Sequence, residues 1–293
     1  MRDDKTSTVQ GKVCLITGSS SGIGFETARA LAKMEAKVIL HGGNSTKTIA
    51  AFQKLLSQGL DVTFLLADFS SLLEVNAMVR QIADVHPKID VLINNAGMIN
   101  STFQLSDEGF EKQFAINHLA HFFLTTSLLD LQLLSPGARV INVSSDAHYR
   151  VTDLDIDSIN KPEYFQFYET YSRSKLCNVL FSNELARRTA KERCTFNALH
   201  PGVIATRIGS KNMKLMGLGW SIMKPLMKKV SKGAETSVFL ASSLVVEGMT
   251  GRYFDQSAQK ESSPLSQDPL LASKLWKYSR TALQAHVEYP VQL

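Results

Sequence analysis

The chain has 293 residues, 44% hydrophobic and 20% charged, with 32 Lys and Arg against 27 Asp and Glu for a net charge of +5. This composition excludes disorder over most of the length, which requires low hydrophobicity and high net charge. The modest positive balance suits an anionic ligand such as a dinucleotide and is too small to imply nucleic acid. Three cysteines, Cys14, Cys177 and Cys194, cannot all pair and show no metal-ligand spacing, so neither a disulfide framework nor a metal is expected. A reducing, cytoplasmic setting is the expectation. Residues 1–10 read as a polar tail without the apolar stretch of a secretory signal, and no run of about 18 apolar residues is present to span a membrane.

Short β-rich runs follow one another at Val13–Ile16, Val38–Leu40, Val62–Leu66, Val91–Ile93, Val140–Val143 and Thr195–Leu199. Longer segments of helical period separate them. Between the first two runs, Ile23, Thr27, Leu31 and Met34 recur every three or four residues and mark one helix face. Apolar strands joined by helices predict a parallel sheet covered on both sides. Right-handed crossovers make this an α/β, Rossmann-type, doubly wound sheet, here assigned to one domain over 11–293. Residues 150–168 and 207–232 break the alternation. In the second stretch Trp220, Met223, Met227 and Val230 repeat at helical spacing among lysines, which predicts a substrate lid and allows peripheral contact with an anionic membrane.

The first run leads directly into Thr17-Gly18-Ser19-Ser20-Ser21-Gly22-Ile23-Gly24. Gly18 permits a tight turn, Gly22 lets a pyrophosphate approach the backbone, and Gly24 lets the next helix sit close to the strand. That helix offers unpaired N–H groups and a positive dipole end. A glycine cluster alone is a common flexible turn; a strand before it and a helix after it point to a dinucleotide.

Further along, Tyr171-Ser172-Arg173-Ser174-Lys175 places Tyr171 and Lys175 on one helix face. An ammonium there is expected to lower a phenol pKa from about 10 toward the range of a general base. By itself such a pair is usually solvated. Its partners are a strand ending in Ser144 and Ser145, the segment Asn94-Asn95-Ala96-Gly97, and Asn117 in a helix expected to begin near Ser106-Asp107-Glu108. Ser145 either polarises a substrate oxygen or closes a strand-end turn. Asn117 either holds a water, bends its helix, or is a satisfied core amide.

These segments resemble the short-chain dehydrogenase/reductase family from about Gly11 to Tyr278, through the Gly-x-x-x-Gly-x-Gly spacing, the Asn-Asn-Ala-Gly segment, the paired serines and Tyr-x-x-x-Lys. Within it, Asn117-His118-Leu119-Ala120-His121-Phe122, Ser174-Lys175-Leu176-Cys177-Asn178 and Ser263-Pro264-Leu265-Ser266 are similar to the retinol dehydrogenase-like, WW-domain-oxidoreductase-like group. The resemblance implies an NAD(P)-dependent oxidoreductase of alcohols or carbonyls, with Asn117, Ser145, Tyr171 and Lys175 catalytic. It assigns cofactor contacts to Gly18, Ser20, Ser21, Gly22, Ile23 and Gly24, to Asn44 and Asp68, and to Asn95, Ala96 and Gly97. Further contacts fall on Tyr171 and Lys175, and on Pro201, Gly202, Val203 and Thr206. Asp68 equally suits a helix cap. Residues 1–10 offer no membrane anchor and no room for WW modules, so retinoid specificity is not inherited outright; the expected substrate is an apolar alcohol or carbonyl, retinoid-, steroid- or lipid-aldehyde-like. A homo-oligomer is the family's habit. The competing reading is a cofactor-loaded regulatory protein with little turnover.

The second run ends Leu40-His41-Gly42-Gly43-Asn44 with no acid to bond an adenosine ribose or repel a 2′-phosphate, and Gly43 stands where NADP-preferring relatives carry arginine. Backbone N–H groups, hydroxyls and Lys47 favour NADP over NAD, and Gly42→Asp is expected to reverse that preference.

Overall fold

The computed structural model describes residues 9–85, 88–161, 163, 165–189, 194–202 and 230–287. The six β-rich runs become β1 (Val13–Ile16), β2 (Lys37–Gly42), β3 (Val62–Leu66), β4 (Ile89–Asn94), β5 (Leu134–Val143) and β6 (Thr195–His200). Two strands of three residues each, β7 (Tyr253–Asp255) and β8 (Ala258–Lys260), complete one sheet of order β3-β2-β1-β4-β5-β6-β7-β8. All neighbours run parallel except β7 and β8. Gln256 and Ser257, with φ of 51° and 60°, turn that last hairpin, the backbone that a tight hairpin requires. The order in which strands are added reverses between β1 and β4, and the crevice at their carboxyl ends is where open α/β sheets take ligands.

Alternate strand residues face opposite ways, and the two faces carry separate cores. Cys14, Ile16, Val38, Leu40, Val91 and Ile93 pack under α1 (Gly22–Lys33), α2 (Ser45–Leu56) and α7 (Val230–Ser242). Leu15, Ile39, Leu92 and Val140 pack under α3 (Leu72–Val85), α5 (Ala120–Asp130) and α6 (Phe167–Arg188). The stretch Ala120 to Leu129 is buried all round, because α8 (Pro269–Gln284) closes its outer side: Trp276 stacks edge-on against Phe122 at 4.9 Å.

Several expectations change. Ser106-Asp107-Glu108 does not open a helix. Gly109, with φ 83°, breaks the run; Glu108 instead accepts from Leu72 N at 2.6 Å, at the start of α3. The helix begins with α4 (Lys112–Phe114), where Glu111 accepts from Phe114 N at 2.8 Å, and passes through a π turn (Ala115–Leu119) into α5. Val9, read as tail, is buried at 1% exposure. In the stretch 150–168, Val151, Leu154, Ile156 and Ile159 pack into the core. The expected lid lies outside the described residues, except that Val230, Ser231 and Lys232 open α7. Among the described residues no helix is long and apolar enough to cross a membrane.

His41, His118 and His121 are buried, and desolvation lowers their pKa values to about 4, 3 and 3. They fold as neutral rings, while in the unfolded chain each gains a proton near pH 6.5. The unfolded state therefore binds more protons below that pH. Stability is full above about pH 6.5 and falls as pH drops toward 4, by up to about 1.4 kcal/mol per pH unit for each ring. Urea midpoints are expected to decline steadily from about pH 7 to about pH 5; a flat profile would show that the rings are hydrated in the folded state.

Candidate active site

The turn after β1 is shaped by what it must avoid. Gly18 has φ 63°, and a Cβ there would lie 2.7 Å from Ala96 Cα. A Cβ on Gly24 would lie 2.5 Å from both Asn95 Nδ2 and Gly18 O. Asn95 braces the turn from beneath, donating from its backbone N to Thr17 Oγ1 at 2.8 Å and from Nδ2 to Thr17 O at 2.7 Å. Ser21 at the N-cap of α1 makes no side-chain cap bond, and the first turn holds no acid. By contrast, Asn44 caps α2, accepting from Lys47 N at 2.9 Å. The amino end of α1 thus keeps free N–H groups and an uncompensated positive dipole, which fits a pyrophosphate.

A cleft of about 640 Å³ opens over this turn, a size usual for small-ligand sites. Of the expected contacts, Gly18, Ser20, Ser21, Gly22, Ile23, Gly24, Asp68, Asn95, Ala96, Gly97, Tyr171, Lys175 and Pro201 line it. Gly202 follows Pro201 with φ 87°. Val203 and Thr206 lie outside the described residues. Asp68 does not cap α3. Its Oδ1 accepts from Ser70 N and Ser70 Oγ, both at 2.8 Å, while its own N–H is held by Glu74. Gly42 is buried, and a Cβ there would lie 2.4 Å from Thr48 Oγ1, so Gly42→Asp collides with α2 and does not test cofactor choice as expected. Gly43 is the exposed position.

Of the catalytic candidates, Tyr171 and Lys175 line the cleft, while Ser145, whose Oγ accepts from Ala147 N at 3.2 Å, closes the strand-end turn. Lys175 Nζ lies 5.7 Å from the Tyr171 ring centroid. Lys175 Nζ donates to Val143 O at 3.0 Å. A Cβ on Gly97 would stand 3.3 Å from both Lys175 Nζ and Asn117 Oδ1, so this glycine leaves room for both. Asn117 sits behind the cleft floor in the π turn, accepting from Met98 N at 2.8 Å and donating to Met98 O and Ser174 Oγ, each at 2.9 Å. It is a satisfied buried amide at a bent helix. The expected lowering of the tyrosine is not what this environment produces. Burial pushes Tyr171 up to about 12, opposed by the Ser145 hydrogen bond, and burial pulls Lys175 down to about 8. Desolvation opposes charge on both groups.

Two supporting residues escaped the sequence reading. His41 accepts from Gly18 N at 3.2 Å through Nδ1 and donates to Ala67 O at 3.0 Å through Nε2. His148 donates from Nδ1 to Ser145 O at 2.7 Å and accepts from Ser263 N at 3.1 Å, linking the serine to the late Ser-Pro-Leu-Ser segment. A histidine ending an apolar strand, as His41 does, was the available signal.

A family model described as short chain dehydrogenase matches residues 12–153. The chain is 37% identical over 294 residues to human retinol dehydrogenase 14, covering 92% of this chain and 86% of that protein. It is 37% identical to the WW domain-containing oxidoreductase of Danio rerio, over 93% of this chain and 68% of that one. A crystal structure from Mycobacterium Paratuberculosis matches at TM-score 0.77 and 29% identity, over 98% and 97% of the two chains. A blue fluorescent protein from a metagenomic library, in complex with NADPH, matches at TM-score 0.66 and 25% identity, over 84% and 96%. The chain belongs to the short-chain dehydrogenase family, in its retinol dehydrogenase-like group. It is an NAD(P)-dependent oxidoreductase acting on alcohol or carbonyl groups.

Gly24→Ala forces a methyl group against Gly18 O and Asn95. Dinucleotide binding is expected to weaken about tenfold or more, with a stability loss of about 1–3 kcal/mol. A fluorescence titration with NADPH reads the first and a urea melt the second.

Proposed function

We propose that this enzyme moves hydride between a dinucleotide seated over the glycine turn and the alcohol or carbonyl carbon of an apolar substrate, with Tyr171 exchanging the proton. The carrying observation is Tyr171 in the cleft wall with Lys175 Nζ 5.7 Å from its ring centroid, one helical turn away. The bound nicotinamide supplies the hydride chemistry. Ser145 Oγ orients the substrate oxygen, and Tyr171 Oη gives it a proton in reduction or takes one in oxidation. Lys175 holds positive charge beside the ring below about pH 8. Asn117 fixes the Met98 backbone at the cleft floor. With its phenol near 12, Tyr171 stands protonated at neutral pH, ready to act as an acid toward a carbonyl. Met98, Ile116, Pro201 and Val230 give the cleft an apolar side suited to a hydrocarbon substrate. The intact Tyr171–Ser145–Lys175 group disfavours a role without turnover.

Tyr171→Phe removes the only proton-exchanging group while keeping the ring. Turnover is expected to fall by roughly 10²–10⁴ with dinucleotide affinity nearly unchanged. Retention of most activity on a good aldehyde or ketone would overturn this mechanism.

For the dinucleotide we infer a preference for NADP(H). No acid occupies the end of β2 or the first turn of α2, and exposed Lys47 stands in that turn. Gly43 is exposed, and a Cβ there comes no closer than 3.2 Å to Asp68 Cα. Gly43→Arg is expected to raise the NADPH-to-NADH ratio of kcat/KM by about tenfold, a charge-assisted phosphate contact being worth about 1.5–3 kcal/mol. An unchanged ratio, or an NADH preference in the native enzyme, would contradict it.

A further inference from the structure

We propose that His121 is a positioning residue that ties the dinucleotide turn to the catalytic tyrosine through two buried sets of hydrogen bonds joined at Asn117: from Thr17 through His121 to the Asn117 backbone, and from the Asn117 side chain through Ser174 to the Tyr171 backbone. The proposal rests on the reading of Tyr171 and Asn117 given above.

Thr17, His121, Asn117 and Ser174 are all buried, at 1% exposure or less. His121 Nε2 lies 2.9 Å from Thr17 Oγ1, and His121 Nδ1 lies 3.1 Å from Asn117 O. A carbonyl can only accept, so Nδ1 carries the ring hydrogen. Burial keeps the ring neutral, which leaves Nε2 bare and requires the Thr17 hydroxyl to donate to it. The other acceptor within reach of that hydroxyl, Ile93 O, is farther, at 3.3 Å. The lone pairs of Thr17 Oγ1 are filled by the N–H groups of Asn95 and Ala96 at 2.8 and 2.9 Å. Every proton at this junction then has one place.

The second set starts from the Asn117 side chain. Asn117 Nδ2 donates to Ser174 Oγ at 2.9 Å, and Ser174 Oγ donates to Tyr171 O at 2.7 Å. One end therefore lies in the turn that seats the pyrophosphate, and the other in the backbone of the proton donor. Aromatic packing holds the rings in place: Phe69 stacks on His41 at 4.3 Å and meets His121 edge-on at 5.2 Å. His41 in turn holds Gly18 N. The π turn gives the linkage its purpose. The N–H of Ala120 reaches back to Ala115 O, one residue farther than in an α-helix, and the His121 side chain secures the widened turn at Asn117.

The first measurement uses the native enzyme and needs no substrate. Histidine-ring ¹⁵N NMR is expected to show one ring, identified by its absence from His121→Gln, as the Nδ1–H tautomer and untitrated down to about pH 5. An Nε2–H tautomer, or titration near pH 6.5 as for a free ring, would overturn the proposal. The second measurement is kinetic. His121→Phe keeps the ring volume and loses both hydrogen bonds, so kcat is expected to fall about 10–100-fold while KM for substrate moves no more than about threefold. His121→Gln can donate and accept, and is expected to recover most of that loss. A His121→Phe enzyme with kcat within about twofold of native would overturn the proposal. So would a His121→Gln enzyme that melts like the native protein and recovers nothing. Failure of the active-site reading itself is seen separately, as an active Tyr171→Phe enzyme, and leaves the tautomer result to stand or fall alone.

Discussion

The architecture depends on one close approach, where the turn after β1 meets the segment leaving β4. Adding a single carbon to Gly18 would bring it to 2.7 Å from Ala96 Cα, and adding one to Gly97 would bring it to 3.3 Å from Lys175 Nζ. The same few residues therefore form the turn proposed to seat a dinucleotide on one side and the wall beside Tyr171 and Lys175 on the other. This is possible only at the crevice between β1 and β4, where the chain leaves the sheet in opposite directions and the strand ends stand open. Packing is close enough that small shifts in the turn must be felt by the tyrosine helix, because protein interiors pass on strain rather than absorb it.

Burial sets the electrostatic state of the site. Desolvation raises Tyr171 and lowers Lys175, and it holds His41 and His121 neutral. At neutral pH the cleft thus presents a protonated phenol, neutral rings and fixed dipoles, with the Lys175 ammonium beside them. Such a setting strengthens each remaining interaction, since little water competes. The free N–H groups of α1 contribute to the same design: a positive helix end with no acidic neighbour is costly to leave bare and favourable to cover with phosphate.

The part of the chain after residue 250 has more than an architectural role. Ser263 bonds His148, which holds Ser145. Asn183 on α6 donates to Ser266 O at 2.9 Å, and His118 in the π turn meets Ser279 Oγ at 3.0 Å. These contacts tie the segment before α8 to Ser145 and α6, and α8 itself to the π turn that carries Asn117.

How much of this was legible beforehand differs by scale. Strand positions, the doubly wound class, the glycine turn and the Tyr171–Lys175 pair were readable, because each depends on local period or on residues a few positions apart. The start of the Asn117 helix was misread because Ser106-Asp107-Glu108 has the composition of a cap yet spends its polar groups elsewhere: Glu108 serves α3, which only the folded chain brings near. The strands β7 and β8 escaped because three residues carry too little pattern, and their pairing partners lie some fifty residues back in β6 or across a two-residue turn. The histidines showed the same limit. The role of each exists only through partners 3 to 161 positions away. The phenol pKa is the plainest case. Spacing alone determined that Lys175 would lie beside Tyr171, but whether the ammonium or desolvation governs that hydroxyl depends on how much water the packed cleft excludes, and only the tertiary structure decides it.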